Sequence, residues 1–135
     1  MEIKTLTPNL SISSQVLVSD LRDLSEAGFK AIICNRPDGE GPDQPSFKEL
    51  EAAAHQFGLQ ARYLPVESGK VSDDDGKAFG QLLNTLPGPV LAFCRSGMRS
   101  TTLWALSQAG VTPIPQILAA SQSVGFDMSP LVNRL

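Results

Sequence analysis

Pro89-Val90-Leu91-Ala92-Phe93-Cys94-Arg95-Ser96-Gly97-Met98-Arg99-Ser100 is the stretch on which the architecture turns. An apolar run ends in a thiol. A short loop with one glycine and two arginines follows, and a helical pattern runs on from residue 101 to residue 108. In a strand–loop–helix of this kind the N–H groups of the loop and of the first helical turn converge on one point above the cysteine. The helix dipole, Arg95 and Arg99 all favour the ionised form of Cys94. A thiolate beneath an anion cradle is a nucleophile. A cysteine ending a buried strand is otherwise a small apolar filler, but filler does not call for two guanidinium groups beside it.

Working outward, strand-like and helix-like segments alternate. Leu10-Ser11-Ile12-Ser13, residues 30–34 and residues 59–66 read as strands, with residues 90–93 leading to Cys94. Ser19 is the expected N-cap of a first helix with Leu21, Leu24 and Ala27 on one face and Gly28 as its stop. Residues 35–45 form a loop rich in Pro, Gly and acids. Ser46 with Glu49, and Ser72 with Asp75, have the spacing of capping boxes. The inner faces of those two helices are Phe47, Leu50, Ala54 and Phe57, then Phe79, Leu82, Leu83 and Leu86. Asp73, Asp74 and Asp75 complement the dipole of the helix they open. Residues 101–109 form a further helix, stopped by Gly110, and residues 113–135 hold one or two short ones. Strands separated by helices imply right-handed crossovers: an α/β fold of three layers, with a mostly parallel central sheet flanked by helices. Ligands of such sheets sit at the carboxyl ends of the strands. Cys34-Asn35, Pro65-Val66-Glu67 and Cys94 therefore belong to one edge.

Composition narrows the possibilities. The 135 residues read as one domain, 1–135, and a 41% hydrophobic content fills a core. A net charge of −3 and a pI of about 5.0 argue against a nucleic-acid partner. Two cysteines are too few for a disulfide framework, and no metal-ligand spacing or cofactor motif is present, so neither a metal nor a cofactor is expected. The first eight residues lack the apolar core of a signal peptide, and no apolar run approaches the ~20 residues of a membrane span. A soluble protein of the reducing cytoplasm is the expectation.

The loop Cys94 to Ser100 resembles the signature loops of two related enzyme groups. Protein tyrosine and dual-specificity phosphatases carry Cys, five residues, then Arg-Ser, usually after a histidine. Rhodaneses, which are sulfurtransferases, carry a shorter loop, frequently Cys-Arg-Ser-Gly-x-Arg-Ser. Here four residues separate Cys94 from Arg99-Ser100, and Phe93 stands in the histidine position, so in length the loop resembles rhodanese. The chain as a whole is similar to a bacterial family of phosphatase-like domains that occur alone or fused to β-lactamase-like hydrolases. The matching features are Asn35-Arg36-Pro37-Asp38-Gly39-Glu40 with Gln44-Pro45, Leu6-Thr7-Pro8, Gly28-Phe29-Lys30, Pro65-Val66, Pro87-Gly88-Pro89-Val90-Leu91, and the Cys94 loop with Leu103-Trp104. The resemblance implies a protein-tyrosine/dual-specificity-phosphatase-like fold carrying a loop of rhodanese length. Its members are named both as phosphatases and as sulfurtransferases.

Two reactions follow from the same activated thiolate, and loop length favours the first. A short cradle suits the outer sulfur of a Cys94 persulfide, stabilised by loop N–H groups and cations, with thiosulfate or a persulfide as the anionic substrate. The alternative is hydrolysis of a phosphomonoester through a Cys94 phosphoenzyme, which also needs a general acid. Glu67, after Pro65-Val66, stands about where dual-specificity phosphatases carry their aspartate. A non-catalytic module that binds an anion or a protein partner is the third reading. In the catalytic readings Arg99 is the main anion ligand, through a bidentate fork. Ser100 donates its hydroxyl to the Cys94 thiolate and caps the following helix. Arg95, Ser96, Gly97 and Met98 complete the anion-binding loop, Arg95 steering anions from its outer side and Gly97 taking a positive φ. Asn35, Arg36 and Asp38 form a site wall, with Glu40 pairing to Arg36. Cys34 is core or a resolving thiol, His55 is a surface residue and Trp104 is core.

Overall fold

The computed structural model describes residues 1–135. Five strands, β1 (Ile3–Thr7), β2 (Leu10–Ser13), β3 (Ala31–Cys34), β4 (Gln60–Tyr63) and β5 (Val90–Phe93), form one sheet in the order β1-β2-β5-β3-β4. β2, β5, β3 and β4 run parallel, and only β1 is antiparallel to its neighbour. Helices α1 (Leu21–Glu26), α2 (Phe47–Gln56), α3 (Asp73–Thr85), α4 (Met98–Ser107) and α5 (Ile114–Ser123) cover the two faces, and short 3-10 turns cover Val18–Asp20 and Ser129–Arg134. This is the mostly parallel three-layer α/β architecture that the alternating pattern predicts.

The pleat of the central strands sorts the core into two layers. Ile32, Cys34, Leu91 and Phe93 pack on one face with Leu21 and Leu24 of α1 and Leu50 and Ala54 of α2. Ala31, Ile33, Val90 and Ala92 pack on the other with Phe79 of α3, Leu103 and Trp104 of α4 and Ile117 of α5. Strands covered on both faces are apolar throughout, which is why β3 and β5 read as unbroken hydrophobic runs. Each fully buried Leu, Ile or Phe here contributes about 1.5–3 kcal/mol. No helix is long and apolar enough to cross a membrane.

The local signals hold where the physics is local. Ser46 accepts a hydrogen bond from the Glu49 amide and Ser72 one from the Asp75 amide, both in complete capping boxes. Elsewhere the structure corrects the expectation. β1 is an additional strand. Its Ile3, Lys4 and Thr5 are exposed and only Leu6 is buried, so an edge strand without an apolar face gave no periodic signal. Asp20, not Ser19, is the N-cap of α1, because a 3-10 turn takes up Ser19 and the Asp20 carboxylate accepts the Leu17 amide. β4 ends at Tyr63, although the Leu64 and Val66 amides still donate to the carbonyls of Cys34 and Asn35. The helix expected from residue 101 begins at Met98, since Gly97, at φ +100°, already turns the chain into it.

The α3–α4 contact sets the position of the helix that follows the Cys94 loop. A Cβ on Gly76 would lie 2.5 Å from Leu106 Cβ and 3.2 Å from the Leu106 carbonyl carbon, so α3 approaches the backbone of α4 where only glycine fits. Gly76→Ala is expected to push the two helices apart at a cost of about 1–3 kcal/mol. It should lower the thermal midpoint by roughly 3–10 °C. An unchanged midpoint in a melting curve would show that the helices do not meet this closely.

Candidate active site

The carboxyl ends of β5, β3 and β4 meet at one edge of the sheet, as parallel packing requires. Cys94 follows β5 directly and is 1% exposed. The Gly97 amide donates to its Sγ at 3.0 Å. Gly97 can do this because its left-handed backbone turns the amide inward. A side chain there would also strike Ile12 Cγ2 at 2.9 Å. Gly97 thus joins thiol to helix, and α4 starts with its amide end beside the sulfur.

Arg99, in the first turn of α4, is buried, and its guanidinium is tightly held. Nη1 donates to Glu40 Oε2 at 2.8 Å and to the Val66 carbonyl at 3.0 Å, and Nη2 donates to Glu40 Oε1 at 2.9 Å. The expected bidentate fork is present, but the carboxylate on its Nη1–Nη2 edge belongs to the protein. The Nε–Nη2 edge carries no carboxylate, and Cys94 adds to the stabilisation of the Arg99 charge. Five donors allow both uses at once. The bond to Glu40 raises the Arg99 pKa, and Arg99 in turn holds the Glu40 carboxyl below its usual range with help from Arg36.

Glu40 is the residue that reading the sequence undervalued. Its pairing with Arg36 was expected and is present, Nε to Oε1 at 3.0 Å, but its bond to Arg99 spans 59 positions. The loop after β3 fixes Glu40 from several sides. Gln44 Oε1 accepts the amides of Glu40 and Gly41 and its Nε2 donates to the Pro37 carbonyl. Arg36 also donates to Gln15. The signal that could have found it was present: a Glu in a motif of turn residues closed by a Gln four positions on.

The wall residues divide. Asn35 is fully buried, donating to the Leu64 carbonyl and accepting from Ser100 Oγ at 2.8 Å, so it knits the ends of β3 and β4 to α4. This corrects the expectation for Ser100. Its hydroxyl bonds Asn35, not the Cys94 sulfur, and it caps no helix, because α4 begins two residues before it. Asp38 accepts the Phe47 amide at 2.9 Å and its own amide donates to Tyr63 Oη, so it organises the loop and does not line the site. Arg36 is spent on Glu40 and Gln15 and offers no second anion contact.

A cleft of about 510 Å³ opens over the loop, lined by Ser68, Gly69, Arg95, Ser96, Arg99 and Thr102 among others. Arg95 and Ser96 are exposed and Met98 is 53% exposed. Glu67 precedes the cleft wall by one residue. It is exposed and pairs with Lys70 at 3.2 Å, so the structure does not bring its carboxylate onto the cleft. His55 is exposed and Trp104 is buried, as expected. Cys34 packs among apolar residues with its Sγ 3.4 Å from the Arg36 carbonyl. Burial pushes its thiol up to about 12.

A parallel sheet whose central strand delivers a cysteine into a loop, with an arginine on the next helix folded back over it, defines the phosphatase-like class of α/β proteins. The profile of the family described as β-lactamase hydrolase-like protein, phosphatase-like domain, matches residues 2–111, and the chain belongs to that family. It is 37% identical over 130 residues to a β-lactamase hydrolase-like protein of Agrobacterium fabrum, covering 95% of this chain and 30% of that one. A β-lactamase hydrolase-like protein of Xylella fastidiosa is 34% identical, with 100% of this chain and 32% of the relative covered. The chain thus spans about a third of the length of these curated relatives. The crystal structure of a candidate phosphatase from Neisseria meningitidis superposes with a TM-score of 0.84 at 32% identity, covering 96% of this chain and 93% of that one.

Two expectations follow from these contacts. Removing the Glu40 charge with Glu40→Gln should leave the fold intact at neutral pH at a cost of about 1–3 kcal/mol. Because pairing depresses the Glu40 pKa, its stabilisation is present above the unfolded value of about 4.3 and fades as pH falls through the lower folded value. The variant should therefore show a flatter acid limb in urea unfolding, and a limb as steep as the wild type's would count against the pair. For Cys34 the raised value acts at the other end. Above pH ~8.5 the unfolded thiol ionises while the folded one keeps its proton, so stability falls towards pH 12 by up to about 1.4 kcal/mol per pH unit. Cys34→Ala should remove that alkaline slope.

Proposed function

We propose that residues 1–135 act as one catalytic domain, a cysteine-dependent phosphomonoester hydrolase working through a Cys94 phosphoenzyme. The observation that carries this reading is the double use of Arg99. Glu40 and the Val66 carbonyl hold one edge of its guanidinium, and the Nε–Nη2 edge remains for two oxygens of a phosphoryl group. A guanidinium already fixed costs little reorganisation when charge develops on those oxygens. The family and the fold of the Neisseria meningitidis protein support phosphate over sulfur chemistry.

In the first step Cys94 Sγ attacks phosphorus and the ester P–O bond breaks. The leaving oxygen takes a proton from a general acid. We assign that role to Glu67. Glu67 is paired with Lys70, but both side chains are exposed and such a pair separates at little cost; Glu40 is held by two arginines, Asp38 by the Phe47 amide, Asp73 by Arg134 and Asp75 by its capping box. In the second step water attacks phosphorus and gives a proton to the Glu67 carboxylate left by the first step, and the P–S bond breaks, returning the thiolate. The amides of the loop around Gly97 stabilise equatorial charge in both steps. Arg95 steers anions towards the loop.

Sulfur transfer is kept as a second reading on one observation, the four-residue spacing between Cys94 and Arg99, which gives a smaller cradle. One experiment separates the two. Wild-type protein should release phosphate from aryl phosphates, and Cys94→Ser should abolish the release. Arg99→Lys, which keeps the charge but loses the fork, should cost on the order of 10²-fold in kcat. Glu67→Gln should slow phenyl phosphate far more than 4-nitrophenyl phosphate, whose leaving group needs no proton. Gain of one sulfur atom on Cys94 after thiosulfate treatment, with no phosphate release, would replace the phosphatase reading by the sulfur one.

A further inference from the structure

The cleft beside the catalytic loop is larger and more positive than a single phosphoryl group requires. Its volume of about 510 Å³ lies within the ~300–1,000 Å³ typical of small-molecule sites. Three of the chain's six arginines line it, Arg95, Arg99 and Arg134, and no Asp or Glu does. Arg99 and Arg134 are paired from behind by Glu40 and Asp73, so Arg95 supplies the unpaired positive charge of the cleft, in a chain whose net charge is −3.

Arg99 belongs to the loop already described. The other two arginines come from different elements. Arg95 makes no ion pair within the protein. Arg134, from the C-terminal 3-10 turn, is oriented by its neighbours. Its Nε donates to Asp73 Oδ1 at 2.9 Å and its Nη2 to the Val71 carbonyl at 2.9 Å, while Nη1 has no protein partner. Asp73 and Val71 therefore hold Arg134 as Glu40 and Val66 hold Arg99, with donors left over in each case. Val71, Met98 and Leu131 give the cleft an apolar surface.

Resting on the phosphatase reading of Cys94, we propose that the substrate is a small organic phosphomonoester carrying a second anionic group, a phosphate or a carboxylate. The ester phosphate lies at Arg99 and Cys94. The second anion lies against Arg95 and Arg134, and the carbon body lies on Val71, Met98 and Leu131. An ester with no second anionic group would leave both outer guanidiniums unused.

The test compares kcat/KM for fructose 1,6-bisphosphate, fructose 6-phosphate and 4-nitrophenyl phosphate, read as released phosphate. The wild type should prefer the bisphosphate over the monophosphate sugar by tenfold or more. Raising ionic strength should shrink that preference. Arg134→Gln should reduce the ratio by about tenfold, the loss expected when a hydrogen bond to a charged group is removed. Arg134→Lys should restore part of it. A purely structural role for Arg134 would lower both sugars equally and leave the ratio unmoved, which would overturn the proposal, as would the absence of any preference in the wild type. The 4-nitrophenyl arm isolates the underlying reading: turnover that survives Cys94→Ser sinks the phosphatase assignment, whereas Cys94-dependent turnover without a bisphosphate preference sinks only the second anion site.

Discussion

The bond between Arg99 and Glu40 is the contact on which the rest of the site depends. It joins helix α4 to the loop after β3, and through the Val66 carbonyl the same guanidinium reaches the segment after β4. A charged group buried to this degree persists only if its donors are matched, because an unpaired buried ion costs several kcal/mol. Glu40 is matched in turn. Arg36 takes its Oε1, and Gln44 clamps the backbone that carries it. With side chain and backbone both held, Glu40 cannot swing away from Arg99 without unmaking the loop. The guanidinium is thereby presented in one orientation before any substrate arrives.

Around that pair the polar groups form a connected set rather than a scatter of contacts. Asn35 binds Ser100 on one side and the Leu64 carbonyl on the other, at zero exposure. Asp38 and Tyr63 join the loop to the start of α2 and the end of β4, and Phe47 stacks on Tyr63 with ring centroids 4.8 Å apart. Within the Asn35–Glu40 motif Glu40 holds Arg99, Arg36 holds Glu40, Asn35 holds Ser100 and Asp38 holds the start of α2, and no residue of the motif lines the cleft. The motif acts on the site at one remove. That division of labour keeps the cleft free of acids while acids support it from behind.

Local charge and overall charge consequently carry different information. An acidic chain repels anions at long range, yet a cleft lined by arginines attracts them at short range. The arginines differ in how they are set. Arg99 is buried and doubly anchored, Arg134 is anchored at the surface, and Arg95 is unpaired. The gradient runs from the Cys94 loop outward, from rigid to adaptable.

How much of this the chain announces depends on the range of the interaction. Helix caps at Ser46 and Ser72, the stop signals at glycines, the apolar runs of β3 and β5 and the cysteine–arginine loop are local patterns, and residues within a few positions of one another set them. They were enough for the α/β class, the mostly parallel sheet and the placement of Cys94 at the end of β5. The edge strand β1 escaped because a half-exposed strand lacks a hydrophobic period. The partners of Arg99 and Ser100 lay 59 and 65 positions away, and only tertiary packing could decide them. Sequence spacing leaves open which of several carboxylates or amides a side chain meets. That choice falls when the strand ends are brought to one edge, where burial makes every unmatched polar group costly and leaves Glu40 for Arg99 and Asn35 for Ser100.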